Sequence, residues 1–282
     1  MLSLIYSILL FLTGTIAGFV GSMTGLGGAV VVTPVLSILF GVPLEYAAGA
    51  SLVSTIATSS GAATAYIKDK LTNVRIGMSL EIATTLGAII GAFSAAFIYA
   101  HNYAYLLFIL FGVVILISAC IMLKHRQNKR SNKTDWSSKF FQLKGRYYDK
   151  ASKKEISYSG IRWWFGELVM LLAGTISGLL GVGSGVLKVI GMDSGMHLPI
   201  KVSTATSDFM IGVTAVTGSA IYWALGYIQP LLVAPILLGV LVGAKYGSKT
   251  MEKTYSYKIK MLFIMILSIV AIEMILRGFG LL

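Results

Sequence analysis

A chain of 282 residues that is 56% hydrophobic and only 12% charged is too apolar to fold as a water-soluble globule. Its net charge of +12 would suit nucleic acid, but twelve of the 23 Lys and Arg residues fall within residues 124–162, against three acids, so the excess belongs to one loop and argues against that partner. The lone Cys120 excludes an intramolecular disulfide, and packing alone must hold the fold.

Runs of about twenty apolar residues, long enough to cross roughly 30 Å of hydrocarbon as helices, predict an all-α polytopic membrane protein. In the first half, residues 1–123, the expected segments are 4–21, 26–40, 46–67, 76–100 and 103–123. The first lacks a basic leader and a small-residue cleavage site, so it reads as a retained span. Residues 124–162 read as a solvated basic linker on the cytoplasmic side. Within it Trp136, Phe140, Phe141, Tyr147 and Tyr148 interleave with lysines, a composition suited to lying on anionic lipid. The second half, residues 163–282, gives five segments in the same order: 163–180, 182–198, 202–225, 228–244 and 258–276.

The halves are a tandem duplication. Leu12-Thr13-Gly14-Thr15-Ile16-Ala17-Gly18 returns as Leu172-Ala173-Gly174-Thr175-Ile176-Ser177-Gly178, and Gly25-Leu26-Gly27-Gly28 returns as Gly181-Val182-Gly183-Ser184-Gly185. Pro43, Ser51 and Tyr66 fall opposite Pro199, Ser207 and Tyr222 at one constant offset, and Gly87 and Gly91 match Gly239 and Gly243 in spacing. The second segment of each half is short and interrupted, by Pro34 in one and by Lys188, Asp193 and His197 in the other. Such backbone survives at membrane depth only inside protein or beside a wet cavity, so half-helices or broken helices are expected here.

Loop charge orients the two halves oppositely. Lys68, Lys70 and Arg75 follow the third segment of the first half, whereas the matching turn at 226–229 is uncharged. The fourth segment reverses this, with no Lys or Arg near Asn102 but Lys245, Lys249, Lys253, Lys258 and Lys260 in the second half. With positive loops inside, the repeats insert upside down relative to one another, an arrangement frequent in secondary transporters, with the site between the repeats. Ten crossings with an outside amino terminus is the simplest count; if the glycine-rich segments dip in and return, the count falls to eight and the halves would be parallel.

Glycines at Gly25, Gly27, Gly28, Gly181, Gly183 and Gly185 permit positive φ and leave N–H groups at the start of a following helix, where an anion can be held. Close helix packing would demand glycine equally well. Ser51 and Ser207 add hydroxyl donors without fixed charge. Lys188, an ammonium within an apolar segment, is either a substrate clamp or half of an ion pair, for which Asp208 is the candidate partner. Glu81 and Asp208 are the candidates for proton or ion coupling. His101, His125 and His197 are scattered, no paired Cys or His ligands occur, and no nucleotide, nucleophile-elbow or zincin motif is present, so neither a metal, a cofactor nor an enzymatic activity is expected.

The two glycine stretches, with Pro34 after the first, the run Pro43 to Gly49-Ala50-Ser51-Leu52, and Pro199 leading to Ala205-Thr206-Ser207, resemble the sulfite exporter TauE/SafE family over nearly the whole chain. The sequence departs from the family pattern at Ala29 and Ser184, at Ile190 where a proline would match Pro34, and at Lys188. The resemblance implies a permease that moves sulfite, sulfonates or other small organosulfur anions across the plasma membrane, coupled to an ion gradient. The partners expected are therefore a small anion, the lipid bilayer and a coupling proton or cation, with a homo-oligomer left open. Two other readings stand beside it: a cation or neutral-solute carrier using Asp208 and Glu81, and a non-transporting scaffold or sensor acting through the basic linker.

Overall fold

The computed structural model describes residues 2–101, 103–124, 135–181 and 185–279. Five helices form the first half: α1 (Leu2–Thr24), α2 (Ala29–Ile38), α3 (Leu44–Lys68), α4 (Val74–Ala100) and α5 (Ala104–Lys124). A short α6 (Trp136–Phe140) and a hairpin of β1 (Lys144–Asp149) and β2 (Lys154–Ser159) follow. The second half holds α7 (Trp163–Leu180), α8 (Gly185–Ile190) running into a π-helical turn (Gly191–Gly195), α9 (Ile200–Ala224), α10 (Pro230–Lys253) and α11 (Ser256–Gly278).

Local chemistry sets the boundaries. Pro43 and Pro199 stand just before α3 and α9 with ψ of 145° and 139°, holding the chain extended until the helix begins. Asn73 caps α4 by accepting from the Ile76 N–H at 3.1 Å, and Pro230 occupies the first turn of α10, where its missing N–H costs nothing. The two second segments are the short ones: α2 has ten residues, about 15 Å of helix, and α8 has six before the backbone widens into the π turn.

Helices α1, α4, α7, α10 and α11 are each long and apolar enough to cross a membrane. Leu4, Ile8, Leu12 and Ile16 of α1 point outward, as do Ile82, Leu86, Ile90, Phe93 and Phe97 of α4. Apolar stripes of that length on the outside need lipid as solvent, and the molecule is a multi-pass membrane protein.

Helices α3 and α9 lie inside this shell, with Ser51, Ser54, Thr55 and Thr58 of one and Ser203, Thr204, Thr206 and Ser207 of the other buried. They cross antiparallel, Ser59 lying against Gly212 and Leu52 against Gly218. Around them the halves exchange partners: α1 packs on α10, and α4 on α7. The matched glycines make both contacts close. A Cβ on Gly91 would collide with the Thr175 carbonyl of α7, and one on Gly243 with the Thr15 carbonyl of α1, so each pair of helices meets backbone to backbone. Helix α10 runs parallel to α3, with Gly49 beside Tyr227 and Gly61 beside Leu241. Helix α4 runs parallel to α9, with Gly77 beside Phe209 and the Tyr99 and Tyr222 rings 6.5 Å apart.

The linker is more than a solvated loop. Residues 125–134 lie outside the described residues, but β1 and β2 pair antiparallel from Lys144↔Ser159 to Asp149↔Lys154, with Tyr147, Asp149, Ile156 and Tyr158 on the buried side. Alternation along both strands gives the hairpin a face that docks on the bundle.

Candidate functional site

The first glycine loop is a turn forced by two left-handed residues. Gly25 and Gly27 both have φ +75°, and the N–H groups of Gly25 and Leu26 return to the Gly21 carbonyl at 2.9 and 3.2 Å, closing α1. Any side chain at Gly25 would be strained by φ and would meet the Thr204 backbone of α9 at 2.8 Å. Gly28 then heads α2 without a side-chain cap, and its N–H donates to Thr58 Oγ1 at 3.0 Å. In the second half α7 closes on Gly181 at φ +65°, against the Ala48 backbone of α3. Gly183 lies outside the described residues. Gly185 begins α8 against the Gly25 carbonyl and Leu26, so the two loops touch.

The two candidate serines hold these loops across the halves. Ser51 of α3 donates to the Gly181 carbonyl, and Ser207 of α9 donates to the Gly25 carbonyl at 2.7 Å. Each half thus anchors the other half's turn. Tyr66 and Tyr222 act within their own half, donating to the Ser22 carbonyl at 2.6 Å and the Gly178 carbonyl at 3.2 Å, each three residues before the turn glycine. The hydroxyl protons of Ser51 and Ser207 are therefore spent on protein carbonyls in this state.

Lys188 does not pair with Asp208. Its Nζ lies 3.3 Å from Glu81 Oε2 of α4 and donates to Thr214 Oγ1 of α9 at 2.6 Å, while Thr214 donates to Glu81 Oε1 at 2.6 Å. The triad closes because α9 packs against both α8 and α4, a juxtaposition invisible along the chain. Lys188, Glu81 and Thr214 are all buried, which a charge pair tolerates only with such geometry. Asp208 instead stands on α9 one turn from Thr204, which meets Gly25, and one turn from Ile211, which meets Gly27. Among the described residues neither of its carboxylate oxygens has a hydrogen-bond partner, and the hydroxyls of Ser203 and Thr204 are unpartnered as well.

Thr214 was not among the sequence candidates, although the offset that pairs Ser51 with Ser207 also pairs Thr58 with Thr214. A second polar group lies at one end of the bundle, beyond the spans. Asp149 of β1 accepts from the buried Nζ of Lys201 at 2.7 Å, and Lys201 also donates to the Glu252 carbonyl at 3.0 Å. Lys150 pairs with Asp69 and, at 2.9 Å, with Glu252. Burial pushes the Asp149 carboxyl upward, but the Lys201 and Ser152 hydrogen bonds outweigh it and leave the group below its ordinary value. Nothing in the local sequence of the linker signals these contacts.

Paired glycine turns held by serines of the opposite repeat, inside a shell of spans, can be compared with known proteins. The profile of the sulfite exporter TauE/SafE family matches residues 10–274. The chain belongs to this family. Three relatives share the TauE/SafE chain's length and carry transporter names. The "Probable membrane transporter protein YunE" of Bacillus subtilis is 29% identical over 96% of this chain and 98% of its own. The "Probable membrane transporter protein YdhB" of the same organism is 27% identical over 86% and 87%. The "Probable membrane transporter protein MJ0441" of Methanocaldococcus jannaschii is 23% identical over 95% of each. No solved structure gives a significant match. Family membership and these relatives make the TauE/SafE chain a membrane transporter.

Proposed function

We propose that the protein is a secondary transporter of small anions that works by alternating access between two inverted repeats in the plasma membrane, with the linker on the cytoplasmic side. The observation that carries the reading is the reciprocal anchoring of Gly181 by Ser51 and of Gly25 by Ser207. Equivalent contacts made across the halves give a device in which one loop opens as the other stays closed. The antiparallel crossing of α3 and α9 supports the inversion, and the uncapped start of α2 supplies backbone donors and helix-dipole charge suited to an oxyanion. The family's name points to sulfite, sulfonate or a related organosulfur anion as cargo.

Asp208 is the coupling group in this reading. A carboxylate buried without a partner is costly, and a proton or cation taken up there would relieve it. The same residue favours a second reading, in which a cation is the cargo and the anion only follows.

Flux in proteoliposomes loaded with sulfite, small sulfonates or sulfate, with and without a proton gradient, separates the two. Saturable anion movement that collapses with the gradient, and loses gradient dependence in Asp208→Asn, is the expected result. Movement of a cation that is indifferent to every anion would replace it with the second reading.

A further inference from the structure

A cavity of about 740 Å3 opens between the carboxy-terminal ends of α3 and α10, at the end of the bundle where the hairpin docks. Its wall carries Lys68, Lys245 and Lys249, all exposed and, among the described residues, in no salt bridge, although Lys68 stands near enough to Asp69 to lower its carboxyl. Lys245 and Lys249 stand one turn apart on α10, so their ammonium groups repel. The two carboxylates at the cavity, Asp69 and Glu252, share Lys150, so four lysines stand against two carboxylates and the wall keeps a positive excess. Ser60 and Thr64 of α3 add hydroxyl groups to the same wall, and Leu241 forms an apolar part of it. Outside the cavity the flanking side chains are apolar and exposed: Ile67 on α3, and Leu238, Val242 and Tyr246 on α10.

We propose that this cavity binds a phosphate group, and that the phosphate is the headgroup of an anionic phospholipid. The excess of four lysines over two carboxylates on this wall is met by one anionic phosphate. The charge sits where an apolar face meets the polar end of the bundle, so a ligand with a phosphate head and acyl tails satisfies both surfaces at once, whereas a soluble phosphate satisfies only the first. The site is separate from the glycine loops and stands whether or not the anion-transport reading does.

Native mass spectrometry of the purified protein in micelles, titrated with phosphatidylglycerol, phosphatidylcholine or inorganic phosphate, tests it. One phosphatidylglycerol is expected to bind in preference to phosphatidylcholine, and Lys68→Gln/Lys245→Gln/Lys249→Gln is expected to weaken it roughly tenfold or more. The hairpin variant Lys144→Gln/Lys153→Gln/Lys154→Gln removes the same charge and is expected to bind as the unaltered protein does. Equal losses in the two variants, or equal binding of both lipids, would overturn the site. Displacement of the lipid by inorganic phosphate at comparable concentration would overturn the lipid as its source. Should the triple variant not stay monodisperse, Lys249→Gln alone is expected to weaken binding about fivefold relative to Lys153→Gln, and equal affinities of these two would count against the site.

Discussion

Lys188 and Glu81 form a pair whose removal tests two roles separately. Losing the ammonium strands a buried carboxylate beside Thr214, so Lys188→Met is expected to lower stability by about 3–5 kcal/mol, and Lys188→Met/Glu81→Leu to recover most of it, read as thermal unfolding in micelles. Flux then decides function. A stable double variant that still carries anion assigns the triad to structure alone, and one that is stable but silent puts Lys188 or Glu81 in the transport step. The sequence marks both residues as anomalous, since charge in an apolar run is expensive. It does not pair them, because Glu81 lies 107 positions before Lys188 and only the packing of α4 against α9 brings them together. Asp208 was legible for the same reason and misassigned for the same reason: adjacency to Ser207 says that it is buried, not which way α9 turns it.

The hairpin is an element held by charge. Asp149 and Asp69 both titrate below the ordinary carboxylate value of 3.8: burial raises each, and hydrogen bonds from Lys201 to Asp149 and from Lys150 to Asp69 more than offset it. Their contribution is therefore complete above that value and is lost as pH falls through the lowered folded values. Hydrogen exchange corrected for intrinsic rates is expected to show residues 144–159 losing protection selectively between pH 5 and about pH 2, and Asp149→Asn is expected to produce the same loss at pH 7. Unchanged protection in both would mean that Tyr147, Ile156 and Tyr158 hold the hairpin by packing alone. The spans themselves were legible because lipid leaves hydropathy in charge: expected segments 76–100 and 163–180 differ from α4 and α7 by two residues or fewer at each end. Helix α10 outran its expected end at 244 because Lys245, Lys249 and Lys253 repeat every fourth residue, a solvated face that hydropathy reads as a loop. The hairpin does not stand out in the sequence although Ile156 and Tyr158 alternate with polar neighbours, since two apolar positions per strand are too short a pattern among so many lysines.

Across the whole molecule the two halves agree in backbone and differ in chemistry. The offset that places Ser51 opposite Ser207 places Val32 opposite Lys188 and Leu52 opposite Asp208, so neither of these two buried charges has a charged counterpart in the first copy. Glycine-lined contacts join the copies: α1 rests on α10, and α4 on α7. Gly91→Leu is expected to force α4 from α7 and, by the same duplication, Gly243→Leu to force α1 from α10, each costing at least about 1–3 kcal/mol through overpacking, read as thermal unfolding in micelles. Unaltered unfolding in either variant would contradict the close approach. The exchange also sets an order in time. At roughly 5–20 residues per second of synthesis, α1 enters the bilayer on the order of ten seconds or more before α10 exists, and α4 waits for α7 behind the whole basic linker. The first repeat must therefore sit in lipid with its glycine faces bare until its successor arrives, and assembly is an event of the finished chain.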